Sequence, residues 1–145
     1  MLTDTTHPGT MSSLRCVIIV DQGLPVGRCA NAAAVIALTI GQRHPYLVGE
    51  PLQDASGFDH PGLIPIGITI LAAPQAELTA IRQKGFEAGC DVIDFPVEGQ
   101  ETTDYQAFRS AVAVIEPAQQ RYSGVALVGA KKSVRKIVGH LPLLK

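Results

Sequence analysis

A C-x-x-C pair is absent from this chain, and its three cysteines, Cys16, Cys29 and Cys90, are an odd number lying in or beside apolar segments. Without that spacing no zinc site is expected, and the thiols read as reduced, buried small hydrophobes. No apolar run approaches the roughly 18 residues that a membrane-spanning helix needs, and the first residues lack the basic start and apolar stretch of a secretory signal. A cytoplasmic protein with no membrane partner is therefore expected. Repeats and low-complexity segments are also missing, and no acidic residue follows Glu116.

What is present is enough for one compact core. The chain has 145 residues, 46% of them hydrophobic, which suits a single domain that needs neither disulfides nor metals. Met1 to Leu14 is polar and without period, so a disordered tail is expected there, with Met11 an alternative start; residues 15–145 are expected to form the domain. The net charge of −1 hides an asymmetry. Residues 1–116 carry −7 and residues 117–145 carry +6. Such a basic end fits an anionic partner, whether RNA, a nucleotide or another subunit's acidic face, and equally a solvated lysine-rich helix.

The stretch from Arg15 to Gly41 organises the rest. Cys16 to Val20 is continuously apolar, as in a central strand covered on both faces. Asp21 ends it, a Gly/Pro turn follows, and an Ala-rich segment from about Arg28 to Ile40 reads as a helix that is core or subunit interface, with Gly41 as a left-handed stop. Further along, Ile66 to Leu71 reads as a second strand. Pro74 opens a helix with Leu78, Ile81 and Gly85 on one stripe and Gly89 as its stop. Asp91 to Val97 is a third strand burying Ile93, Phe95 and Val97. Thr103 and Gln106 are spaced as a capping box for a helix whose stripe, Tyr105, Phe108, Val112 and Ile115, reads as core. Val125 to Val128 is a fourth strand, and Lys131 to Val138 a last helix that buries Val134, Ile137 and Val138 before Gly139. Strands alternating with helices imply an α/β three-layer sandwich, about four strands in a mostly parallel or mixed sheet with helices on both faces.

Several residues could carry chemistry. Asp21, at a strand end, and Asn31, on the next helix's first turn, could meet a polar ligand or activate water; equally, Asp21 could bond loop amides and Asn31 cap the helix. Arg28 is either an anion contact or a surface arginine. The long segment Gln42 to Pro65 holds His44, Asp54, Asp59 and His60, which match no metal-ligand spacing and are mostly accounted for by turn chemistry. The turn from Gly129 through Lys131 and Lys132 to Ser133 could hold phosphate through backbone amides, though it lacks P-loop spacing.

Three motifs in order carry a resemblance over about residues 15–145: Asp21 followed by GLPVGRCANAAAVIALTIG, the loop Asp54, Gly57, His60, Pro61, Gly62, and the ending VGAKKSVRKIVGHLPLLK. They resemble a bacterial family called domain of unknown function two thousand. The resemblance implies the fold of the type II peptidyl-tRNA hydrolases, often dimeric, and so a homodimer here. It does not imply their activity. Against the hydrolase segment R-x-D-L-K-M-G-K-G-K-x-A-A-Q, Leu24 and Gly27 match and Arg28 keeps a basic position. However, Asp21 replaces the arginine, Gly23 the aspartate, Ala30 the lysine thought to act in catalysis and Ala34 the glutamine.

Two functions follow. One is a binding protein without hydrolase activity or cofactor, taking a small polar or nucleotide-like ligand on Asp21, Arg28, Asn31, Asp54 and His60. In it Lys131, Lys132, Arg135 and Lys136 hold an anion or RNA, and no DNA is expected. The other is a divergent hydrolase of an RNA-linked or small-molecule ester, with Asp21 or His60 as base and Arg28 or Lys132 steadying negative charge. Asp54 and His60 folding back onto Asp21 would join them in one polar site.

Overall fold

The structure is a computed structural model describing residues 13–145. The expected tail and the alternative start at Met11 lie outside these residues, save that Leu14 is buried and opens the first strand. That strand, β1 (Leu14–Asp21), alternates its apolar side chains between two cores. Cys16, Ile18 and Val20 face one, while Val17 and Ile19 face the other. Its neighbours are β4 (Thr69–Ala73) and β6 (Tyr122–Ala130), and β5 (Asp91–Pro96) completes the sheet in the order β4-β1-β6-β5. The central position expected of an apolar strand is found.

Helices cover both faces. On one lies α1 (Val26–Arg43), burying Cys29, Ala32, Ile36 and Ile40 against the first core. On the other lie α2 (Gln75–Glu87), with Leu78 and Ile81, and the last helix, α5 (Lys131–Val138), with Val134, Ile137 and Val138. Both stripes and the bounds of α5 agree with the sequence reading, and Gly89 has the left-handed φ of +79° expected after α2. Between β5 and β6 lie two short helices, α3 (Glu98–Glu101) and α4 (Tyr105–Ala113). Residues 140–145 close the free edge of β4. The Ala72 amide donates to the Pro142 carbonyl at 3.0 Å, and the Leu144 amide to the Ile70 carbonyl at 3.0 Å.

Several expectations are corrected. Of the two sheets expected, mostly parallel or mixed, the mixed one is found, because β1 pairs with β4 in parallel while β6 runs antiparallel to both β1 and β5. Alternation of strands and helices suggested parallel crossovers, but the chain between β5 and β6 turns back at the end where it leaves. Gly41 does not stop α1; the helix runs to Arg43 and is held by the His44 amide on the Ile40 carbonyl at 2.8 Å. Nor is α1 core all round, since Val26 and Leu38 are 87% and 79% exposed. The second strand starts later than Ile66, because Gly67 turns the chain with φ +74°. Asp104, not Thr103, caps α4, its carboxylate accepting the Ala107 amide at 2.7 Å, as the stronger capping side chain. No residue of α4 is buried, and Tyr105 stands 75% exposed.

Candidate functional site

Topology sets the two ends of the molecule. The parallel strands β1 and β4 both finish at one end, where α1 and α2 begin. In α/β proteins this carboxyl edge is where ligands gather. Asp21 sits there, 8% exposed. One carboxylate oxygen accepts the Gly23 amide at 2.8 Å, closing the loop, and the other accepts the Gln75 side-chain amide at 3.1 Å from the start of α2. The Gln22 amide donates to the Ala73 carbonyl at 2.9 Å, so the loop is tied to β4 as well. The alternative in which Asp21 bonds loop amides is thus realised.

On the α1 side of the same strand end lies a cavity of about 230 Å³, lined by Gln22, Leu24, Val26, Cys29 and the chain end, Leu144 and Lys145. The Cys29 thiol donates to the Leu24 carbonyl at 3.5 Å. Burial pushes its pKa up, and the nearby Asp21 charge adds to the effect, so the group is held as a neutral thiol.

Arg28 and Asn31 are exposed on α1. Asn31 lies inside the helix rather than capping it; Pro25 occupies the N-cap. Its side-chain oxygen accepts from the Gln100 amide at 3.1 Å, and the same amide donates to the Arg28 carbonyl at 2.8 Å. The Ser123 hydroxyl completes this chain by donating to the Gln100 side-chain oxygen at 3.3 Å. Between β5 and β6 the register shifts from Phe95–Gly124 to Pro96–Tyr122, leaving Ser123 as the extra residue of a bulge. Such a bulge re-aims a side chain, here toward α3. Gln22, Gln75, Gln100, Ser123 and Lys145 were not singled out in the sequence. A lone glutamine or serine carries no periodic signal, and their meeting depends on the sheet register.

The remaining candidates lie elsewhere. Asp54 and His60 pair with each other, His60 Nε2 lying 2.9 Å from Asp54 Oδ2 on a small hairpin of β2 (Leu52–Gln53) and β3 (Asp59–His60). Neither is among the hydrogen-bond partners of Asp21 among the described residues. The Asp59 carboxylate accepts from the Gln53 side-chain amide at 3.3 Å. His44 is buried between the Tyr46 hydroxyl, 2.9 Å from Nδ1, and Asp91 Oδ2, 2.6 Å from Nε2. Arg43 grips the same carboxylate with two bonds at 2.8 and 2.7 Å, which locks the end of α1 to the start of β5.

Lys131 and Lys132 stand at the opposite end of the sheet. The Lys131 amide donates to the Ser13 carbonyl at 2.7 Å, next to the first residue of β1. Eight strand residues at about 3.3 Å each put roughly 25 Å between that point and Asp21. One cleft therefore does not hold all the candidates. Among the described residues no group of three or more His, Cys, Asp or Glu could hold a metal, and no helix is long and apolar enough to cross a membrane.

This architecture defines a three-layer α/β domain with a four-stranded mixed sheet and a polar carboxyl edge. The model of a family described as Protein of unknown function (DUF2000) matches residues 14–145, and the chain belongs to that family. Among solved structures it is similar to a protein of unknown function, Atu0240, from Agrobacterium tumefaciens strain C58. The TM-score is 0.81 at 24% identity, covering 90% of this chain and 97% of the other, a likeness of fold. No curated protein matches the chain.

Proposed function

We propose that this protein has the type II peptidyl-tRNA hydrolase-like fold and binds a small polar or nucleotide-like ligand at the β1–α1 edge without hydrolysing it. The observation that carries this is the cavity beside Asp21, lined by the polar residues Gln22 and Lys145 together with the apolar residues Leu24, Val26 and Leu144. At about 230 Å³ it lies below the usual range of drug-sized pockets, about 300–1,000 Å³. That favours a ligand the size of a nucleobase or an amino acid. Lys145, with Arg28 on the first turn of α1, suits an anionic group on the ligand, and Asp21 and Asn31 suit its donors. Absence of catalysis is supported by Ala30 and Ala34, which stand where the hydrolases carry the lysine and the glutamine.

Calorimetric titration with nucleobases, nucleosides, nucleoside monophosphates and amino acids tests this. One class should bind, and Gln22→Ala and Lys145→Ala should each weaken it about tenfold or more, while Lys84→Ala, at the far end of α2, should not. No binding, or binding indifferent to both variants, rejects the reading. Ester or peptidyl-tRNA turnover lost in an Asp21→Asn, His60→Ala double variant would instead establish the hydrolase.

A second reading has its own observation. Lys131, Lys132, Arg135 and Lys136 are exposed on α5, and none of them forms an ion pair among the described residues. This face suits an anionic partner such as RNA, on a surface separate from the β1–α1 edge. Binding of tRNA should then weaken steeply with salt, and Lys132→Ala with Lys136→Ala should flatten that slope.

A further inference from the structure

We propose that the outer edge of the sheet carries a second site, a pocket between β5 and α4 that takes a small planar aromatic carboxylate. A cavity of about 320 Å³ lies there, lined by Pro96, Tyr105, Phe108, Arg109, Val112 and Ala113. It reaches the range of ligand pockets, about 300–1,000 Å³, and shares no lining residue with the cavity beside Asp21. A smaller hollow of about 170 Å³ shares Pro96, Tyr105 and Phe108 with it and continues the trough toward Val35 and Thr39 of α1.

The stripe of α4 makes this face. Tyr105, Phe108 and Val112 have the spacing of a core helix, yet none is buried, and Tyr105 is 75% exposed. β5 is the last strand of the sheet, so no further strand covers them. Large apolar side chains gathered around one open hollow mark a binding surface. The rings are nevertheless fixed. Phe95, Phe108 and Tyr105 form a run of edge-to-face contacts, with centroids 6.1 Å apart for Phe95 and Phe108 and 6.0 Å apart for Tyr105 and Phe108. Behind them α3 packs so closely that a Cβ on Gly99 would lie 2.2 Å from Phe95 Cε1 and 2.9 Å from Phe108 Cζ. The Asp104 cap on the Ala107 amide holds the turn that carries Tyr105. An open run of edge-to-face rings offers its next place to another ring, which favours an aromatic body over an aliphatic chain. Because the floor is already formed, little ordering is needed on binding.

Charge sets the other half of the ligand. Arg109 lies four residues after Tyr105, on the same face of α4, and is the charged residue among those lining the pocket. Among the described residues its guanidinium has no carboxylate partner and lies over no ring, whereas Arg43 and Arg82 are each bound to an aspartate. A planar guanidinium fork matches a carboxylate with two parallel hydrogen bonds. The aromatic body thus meets Tyr105 and Phe108 while its carboxylate meets Arg109.

The chain contains no tryptophan, so the emission of naphthoate, an aromatic carboxylate, can be followed in a fluorescence titration of the full chain without overlap from indole. Naphthoate should bind saturably, at least about tenfold tighter than its neutral amide, naphthamide, and than the aliphatic carboxylate octanoate measured by displacement. Arg109→Gln should weaken naphthoate about tenfold and leave naphthamide unchanged. Tyr105→Ala should weaken both, and Lys84→Ala, which removes a positive charge elsewhere, should change neither. Tyr105 and Arg109 are both exposed, so the variants should keep the wild-type melting temperature. Absence of saturable binding, or an affinity for naphthoate that Arg109→Gln leaves unchanged, overturns the proposal. Octanoate binding as tightly as naphthoate overturns the aromatic class.

Discussion

Asp54 is exposed, yet its carboxyl is held down at about 2, first by the Ser56 hydroxyl, then by His60 and the Ser56 and Phe58 amides, against a small upward effect of burial. Its folded value lies below the unfolded one, so its support for the β2–β3 hairpin is present above the ordinary aspartate range and is lost as pH falls toward 2. A carboxyl-carbon NMR titration should show Ser56→Ala raising this value more than His60→Ala does. Wild-type titration near the ordinary aspartate value would contradict the hydrogen-bond set. For Asp91, burial pushes the pKa up, but hydrogen bonds from Arg43 and His44 outweigh it and leave the carboxyl below the usual range. The sign is the same, stability being lost as pH falls through the folded value. Asp91→Ala leaves buried His44 and the Arg43 fork without their acceptor and should cost about 2–3 kcal/mol in urea unfolding. An unchanged midpoint would mean that the cluster does not hold α1 to β5.

At the scale of elements, legibility followed periodicity. β1, the stripe of α2, the buried face of β5 and the whole of α5 were readable, because a continuous apolar run or a 3.6-residue repeat reports burial directly. The outer side of α1 was not. Alanine is compatible with core and with surface, so Ala30 and Ala34 gave no sign that they face outward. The β2–β3 hairpin was read as an aperiodic loop, since two-residue strands are too short for any period. The Asp21 turn was legible as the end of a buried strand because a charge closes its apolar run. Its partner Gln75, from α2, was not, nor was Gln100, from α3, which meets Asn31 and the Arg28 carbonyl on α1. The closing of β4 by residues 140–145 also depends on tertiary pairing. Removing residues 142–145 should expose that edge and abolish exchange protection at the Ala72 amide, which donates to Pro142. Protection that survives the truncation would place the bond elsewhere.

For the whole molecule, the sheet's direction divides the charges. The basic tail of the sequence is not one patch in space. Arg121 precedes β6 at the Asp21 end, Lys131 follows β6 at the other, and Lys145 returns to the first. Only the α5 residues share a face, and that face lies away from the cavity. The central claim is thus a ligand at the carboxyl edge of β1, independent of α5. Chemical-shift mapping tests it most directly, with labelled protein titrated with the compound class that binds in calorimetry. Shifts should gather on Gln22 to Cys29, Gln75, Leu144 and Lys145; shifts confined to α5 or to the β2–β3 hairpin, with that edge silent, would contradict it.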